Sequence, residues 1–155
     1  MYRLKNKKIN YRFILLCICV VISVIFIWTN SMASAKISLQ QSENILYSVL
    51  PFVEKIDINI ERLHFFIRKF AHMTEFAIFS VLFMLLLKYK IKKLSICIIM
   101  VVYSCTVVGL IDETLQLFSL GRTSHVVDVW IDTLGGIIGM ILFIIFNNIF
   151  NNKKR

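Results

Sequence analysis

The chain has 155 residues, 58% of them hydrophobic, and sets 18 Lys and Arg against 9 Asp and Glu, a formal net charge of +9. Its mean hydropathy of +0.77 lies far above that of a soluble domain and reads as a single integral membrane domain. The charge does not point to nucleic acid, because the basic residues stand in short clusters beside apolar runs, with no aromatic-interleaved stripe for a phosphate backbone to follow.

Residues 1–12 carry Arg3, Lys5, Lys7, Lys8 and Arg12 and no acid, and Phe13 to Trp28 is then apolar except for Ser23. This predicts a first membrane helix over about 13–31. A basic start, an apolar run and Ala33-Ser34-Ala35 also describe a secretory signal peptide; the length of the run favours a retained helix. Residues 36–65 are the one sizeable polar segment and mix both charge signs. Ser42 can cap a short helix that presents Ile45, Leu46, Val49 and Leu50 on one face and ends near Pro51. This segment is expected to lie along the membrane surface. Asn59 offers a further cap, with Glu61 in the first turn.

Three more membrane helices follow, predicted over about 66–87, 94–116 and 128–150. Lys88, Lys90, Lys92 and Lys93 separate the first two, the last closes on Lys153, Lys154 and Arg155, and Gly121 marks a tight connection at 119–127,. The expected fold is all-α, with four transmembrane helices and a surface-lying segment between helices 1 and 2. Cys17, Cys19, Cys97 and Cys105 all fall inside apolar runs without metal-type spacing and read as small apolar fillers,. The positive-inside bias places both termini and the 88–93 loop in the cytoplasm of a cell-membrane protein.

That topology brings one set of polar residues to a common depth. Arg68, Lys69, His72 and Glu75 sit near the start of the second span, Asp112, Glu113 and Gln116 at the end of the third, Arg122 and His125 in the connection, and Asp128 and Asp132 at the start of the fourth. All fall at the outer leaflet, where ionisable residues must find partners or a water-filled cavity and so mark a functional site. At 100° per residue, Arg68, His72 and Glu75 share an arc of about 60°, and Gly109, Asp112, Glu113 and Gln116 one of about 100°. Asp128, Asp132, Gly135, Gly136 and Gly139 share a face of the fourth helix, with Gly135 and Gly139 in the GxxxG spacing that allows close helix approach. Ile, Leu, Phe and Trp130 are left to face lipid.

The segments RKFAHMTEF (68–76), DETLQLFSLGR (112–122) and DVWIDTLGGIIG (128–139), in this order and separated by basic loops, resemble the VanZ-like family of bacterial membrane proteins. NSMASAKISLQQS at 30–42 is similar to the stretch that follows that family's first helix, so the resemblance covers nearly the whole chain. It implies a small multi-pass cell-membrane protein, associated in the founding member with reduced susceptibility to the lipoglycopeptide teicoplanin. Arg68, Lys69, His72, Glu75, Asp112, Glu113, Gln116, Gly121, Arg122, Asp128, Asp132 and Gly135 fall on the motif positions. Two residues depart from the pattern. Leu120 stands where a proline usually precedes Gly-Arg, which loosens the expected turn. Asp132 stands where many members have Asn, which adds negative charge.

Two function classes follow. In the first, the outer-leaflet pocket binds an envelope lipid or the acyl tail of a lipoglycopeptide, with Arg122 as a bidentate clamp for phosphate or carboxylate. In the second, the chain is an intramembrane enzyme on a lipid-linked envelope substrate, with Glu113 or Asp112 as general base and His72 as acid or ligand. His72, Glu75, Glu113 and Asp128 could hold a divalent cation for that chemistry. Against a metal, Arg68, Lys69 and Arg122 can neutralise three carboxylates in a structural ion-pair network. Arg122, His125 and Asp128 follow the residue order of membrane phosphatases, but the spacing does not fit. His64 reads as an interfacial residue.

Overall fold

Long apolar runs wind into helices even where they carry glycine, as Leu94–Gln116 and Val126–Asn152 do here, and they fill the chain nearly end to end. The computed structural model describes residues 10–53 and 60–152. The helices are α1 (Tyr11–Met32), α2 (Ala35–Val53), α3 (Ile60–Lys88), α4 (Leu94–Gln116) and α5 (Val126–Asn152). All-α architecture with four helices long and apolar enough to cross a membrane is what the sequence predicts; the spanning segments are α1, Arg62–Lys88 of α3, α4, and Val126–Phe150 of α5.

The main difference from expectation is α2. It begins at Ala35 and continues to Val53, two residues past Pro51, so Ser42 does not cap a short helix. The seven residues from Ala35 to Gln41 include no helix breaker, and the Ala35 N–H is bonded to Leu120 O at 3.1 Å, which anchors the start of the helix. Ser42 is interior and turns its hydroxyl back to Leu39 O at 2.8 Å, a bond typical of serine within a helix. α3 starts at Ile60, directly after the expected cap position, and runs on into the second span, which begins at Arg62 rather than near 66. Asn59 and the side chain of Glu61 lie outside the described residues.

α3 is the hub: it packs on α1, α2, α4 and most extensively on α5, and α1 and α5 also pack on α4. The buried core comprises Ile27, Phe76, Phe79, Met84, Leu87, Cys97, Val101, Cys105, Val108 and Met140. Two of the four cysteines are thus core fillers, and all four are free thiols. The α3–α5 approach depends on the GxxxG pair, because a Cβ on Gly135 would stand 2.5 Å from Met73 O, and one on Gly139 2.3 Å from Ala77 O. Outward faces carry exposed Ile14, Ile18, Val21 and Ile25 on α1 and Trp130, Ile141, Ile145 and Ile149 on α5, a surface suited to lipid rather than water.

Candidate functional site

The Arg68–Glu75 stretch of α3, the end of α4, the 117–125 connection and the start of α5 converge at one end of the bundle. Arg68, Lys69 and His72 from α3, Glu113 and Gln116 from α4, Arg122 from the connection, and Asp128 and Asp132 from α5 line one cavity of about 10 Å³, the lower limit for a single water. Arg68, His72 and Arg122 also line a second, larger cleft of about 110 Å³, shared with Glu75 and with Asn30, Ser38 and Ser42 from α1 and α2. The ten residues singled out by sequence are therefore near neighbours, and Asp112 alone of them lines neither cavity.

Asp112 is fully buried and faces α1: Ser31 Oγ donates to its Oδ1 at 2.5 Å. The Gln116 amide, one turn on, bridges the two adjacent carboxylates, donating to Asp112 Oδ2 at 3.0 Å and to Glu113 Oε1 at 3.1 Å. The other Glu113 oxygen accepts the backbone N–H of His125 at 2.9 Å. Since His125 immediately precedes α5, Glu113 from α4 supplies the acceptor that the first N–H groups of α5 lack, and its charge sits where the helix dipole favours an anion. Asp128 lies in the first turn of α5 and forms an ion pair with Lys69, whose ammonium also rests 5.4 Å from the Phe65 ring centroid.

The connection between α4 and α5 makes its turn with Leu120, where the resemblance led to the expectation of a proline. Gly121 adopts φ +76, a left-handed conformation that glycine takes without strain, and Leu120 O accepts from Ala35. Ser119 Oγ and Arg122 both donate to Ser31 O, at 3.0 and 3.1 Å. The α1–α2 corner thus holds the loop that carries Arg122.

Arg122 uses one of its five N–H donors in this way, and its buried Nε has no partner. Burial and the nearby Arg68 charge pull the guanidinium below its ordinary value, and Asp112, Glu113 and Glu75 push the other way. Arg68 makes no ion pair or hydrogen bond among the described residues. Across the larger cleft, Glu75 Oε1 accepts from Asn30 Nδ2 at 2.8 Å. Glu75 Oε2 stands 3.9 Å from His72 Nδ1, too far for a hydrogen bond, and both atoms are buried without a partner.

The ion-pair network expected around Arg68, Lys69 and Arg122 is reduced to Lys69 with Asp128 among the described residues, because the loop directs Arg122 toward the backbone of α1. His72, Glu75, Glu113 and Asp128 do not come together as a ligand set. The carboxylates that converge are Asp112, Glu113 and Asp132, with one oxygen of each within 4.8 Å of the others. Sequence reasoning missed Asn30, Ser31, Ser38 and Ser42, which belong to the NSMASAKISLQQS segment. Ser38 and Ser42 are four apart on α2 and both buried, a polar pair whose i, i+4 spacing placed them on one face in advance. His64, read as interfacial, lies with Nδ1 3.3 Å from Ser42 Oγ.

The VanZ/LLP1 family model matches residues 13–147. The chain belongs to the VanZ/LLP1 family. In this VanZ/LLP1 protein the matched span runs from the first apolar helix to residue 147 within α5, so the corner, both cavities and the α4–α5 loop all lie within it. No curated protein and no solved structure matches the chain.

Proposed function

We propose that this VanZ/LLP1 protein binds the anionic headgroup of a cell-envelope lipid in its polar end, which the positive-inside bias assigns to the outer leaflet. The observation that carries the reading is the pair of arginines with unspent donors on the 110 Å³ cleft: Arg122, with Nε buried and unpartnered, and Arg68, with no partner among the described residues. A buried donor left without an acceptor costs about 1–3 kcal/mol, and a phosphate or carboxylate would satisfy both guanidinium groups. Asn30, Ser38, Ser42 and His72 add further polar side chains around the same cleft, which the Glu75 carboxyl group also lines. Sequestering such a lipid would limit access of a teicoplanin-type lipoglycopeptide to cell-wall precursors.

The test is retention of lipid by the purified protein, read by native mass spectrometry from micelles holding equal phosphatidylglycerol and phosphatidylcholine. The wild type should retain phosphatidylglycerol preferentially, and Arg122→Ala should lose the preference. Equal retention of both lipids by the wild type would contradict the proposal.

A second reading, an intramembrane enzyme on a lipid-linked substrate, draws support from the convergence of Asp112, Glu113 and Asp132, which together could hold a divalent cation. Metal content and turnover of the purified protein separate it from a binding role.

A further inference from the structure

A second, apolar feature lies beside the polar cleft. Phe66, Ile67, Phe70, Ala71 and Thr74 on α3 and Ile45 on α2 line an open groove of about 650 Å³. Ile45, Ile67 and Ala71 also line the cleft that holds Arg68 and Arg122. Cleft and groove therefore run side by side along α3 and join at these three side chains. The groove covers about 12 Å of the helix axis from Phe66 to Thr74 at 1.5 Å per residue. Its polar contribution is small: the Thr74 hydroxyl is turned back onto Phe70 O at 2.8 Å.

Deepening the headgroup reading and resting on it, we propose that the α2–α3 seam is a lateral portal from the bilayer: the hydrocarbon chain of a phosphate-bearing lipid lies in the Phe66–Thr74 groove while its headgroup turns past Ile67 and Ala71 onto Arg68 and Arg122. Two observations select this occupant. An apolar trough alone would suit any chain, but this one opens into a pair of guanidinium groups with unused donors, so the complementary ligand is apolar along one side and anionic at one end. A packed helix from another protein would fill the trough but leave the cleft donors unmet. Ala71 sets the width of the junction: it is the smallest of the three shared side chains, and a larger residue there narrows the way from groove to cleft.

The ligand class predicts a measurable dependence on chain length. Each methylene taken out of water contributes about 0.8 kcal/mol, and the micelle already supplies much of that gain, so the groove shows in the comparison of variants: the wild type should favour monododecyl over monobutyl phosphate by about tenfold. The experiment titrates both phosphates into the purified full chain in a non-ionic detergent and reads bound fractions by native mass spectrometry. Phe70→Ala, which removes a groove wall that the cleft does not share, should reduce the preference for the long chain to less than about threefold while leaving monobutyl phosphate affinity within about twofold. Ile78→Phe, on an exposed position of the same helix two turns further on, should leave both affinities as in the wild type. Phe66→Ala, at a second position that lines the groove alone, should weaken dodecyl phosphate only, and serves if Phe70→Ala does not elute as a folded species. An undiminished preference in the groove variants would overturn the portal, as would dodecyltrimethylammonium binding as tightly as dodecyl phosphate. Monobutyl phosphate affinity that ignores Arg122→Ala would instead overturn the headgroup reading, and the groove variants do not affect that comparison.

Discussion

On one side of Phe76, α3 and α4 meet through Phe79, Met84, Leu87, Cys97 and Val101; on the other, the same pair of helices and α5 bury Asp112, Glu113, Gln116 and Asp132. The apolar half is held mainly by side-chain packing, with few polar bonds between helices, such as Trp28 Nε1 to Val108 O, and tolerates no added volume where glycine admits backbone. The polar half is held by side chains that cross between helices: Ser31 to Asp112, Glu113 to the start of α5, Lys69 to Asp128. It also contains groups without a partner among the described residues, namely the guanidinium of Arg68, the Nε of Arg122, and the facing atoms of His72 and Glu75. The difference separates two kinds of buried polar residue at one end of the bundle, those that join elements and those kept for something outside the chain.

Substitutions should sort the same way, with the largest loss in the apolar half. Gly139→Leu drives a side chain into Ala77 O and Ser80 Oγ, both within 2.5 Å of the position of its Cβ, and should destabilise by about 3 kcal/mol or more, seen as aggregation or a lowered Tm in detergent. Lys69→Ala leaves the largely buried Asp128 carboxylate unpaired and should cost about 3 kcal/mol; an unchanged Tm would move that pair out of the joining class. Asp112→Ala strands the Ser31 hydroxyl and one bond of the Gln116 amide, a loss of about 2 kcal/mol. Asp112→Asn keeps an acceptor and should fall between it and the wild type, as read from thermal unfolding followed by tryptophan fluorescence.

Much of this was legible in the sequence because periodicity and cost both point inward. The spans follow from apolar run length, and the glycine face of α5 and the acidic face of α4 follow from angles. Asp112 and Glu113, adjacent and so about 100° apart around the helix, accordingly point to different sides: Glu113 lines the small cavity with His72 and Asp128, and Asp112 faces α1. What could not be read was partnering across the chain. Nothing local to Asn30 or Ser31 says that Glu75 and Asp112 will meet them, because that depends on how α1 leans on α3 and α4. The predicted charge network failed for the same reason: proximity in depth does not fix direction, and the Ser31 carbonyl claims Arg122 before any carboxylate does. The start of α2 was missed because Ser42 looks like a cap, whereas the bond that anchors the helix is made by Ala35 with a loop residue far along the chain.

A smaller effect sharpens which side of the membrane the polar end faces. In a chain with Cys17, Cys19, Cys97 and Cys105 replaced, Thr123→Cys should react with an impermeant thiol reagent in intact cells and Lys90→Cys should not; the reverse pattern would place the polar end in the cytoplasmic leaflet.

The most direct measurement compares Tm with and without added phosphatidylglycerol in the wild type and in Arg68→Gln/Arg122→Gln. If the two arginines are held for a ligand, the double variant loses only about 1 kcal/mol for the bond from Arg122 to Ser31 O and melts close to the wild type without lipid. Added lipid should then raise the Tm of the wild type, as ligand linkage requires, and leave the variant unmoved. A variant that melts far below the wild type without lipid, and that lipid still stabilises, would contradict the account and make both arginines part of the fold.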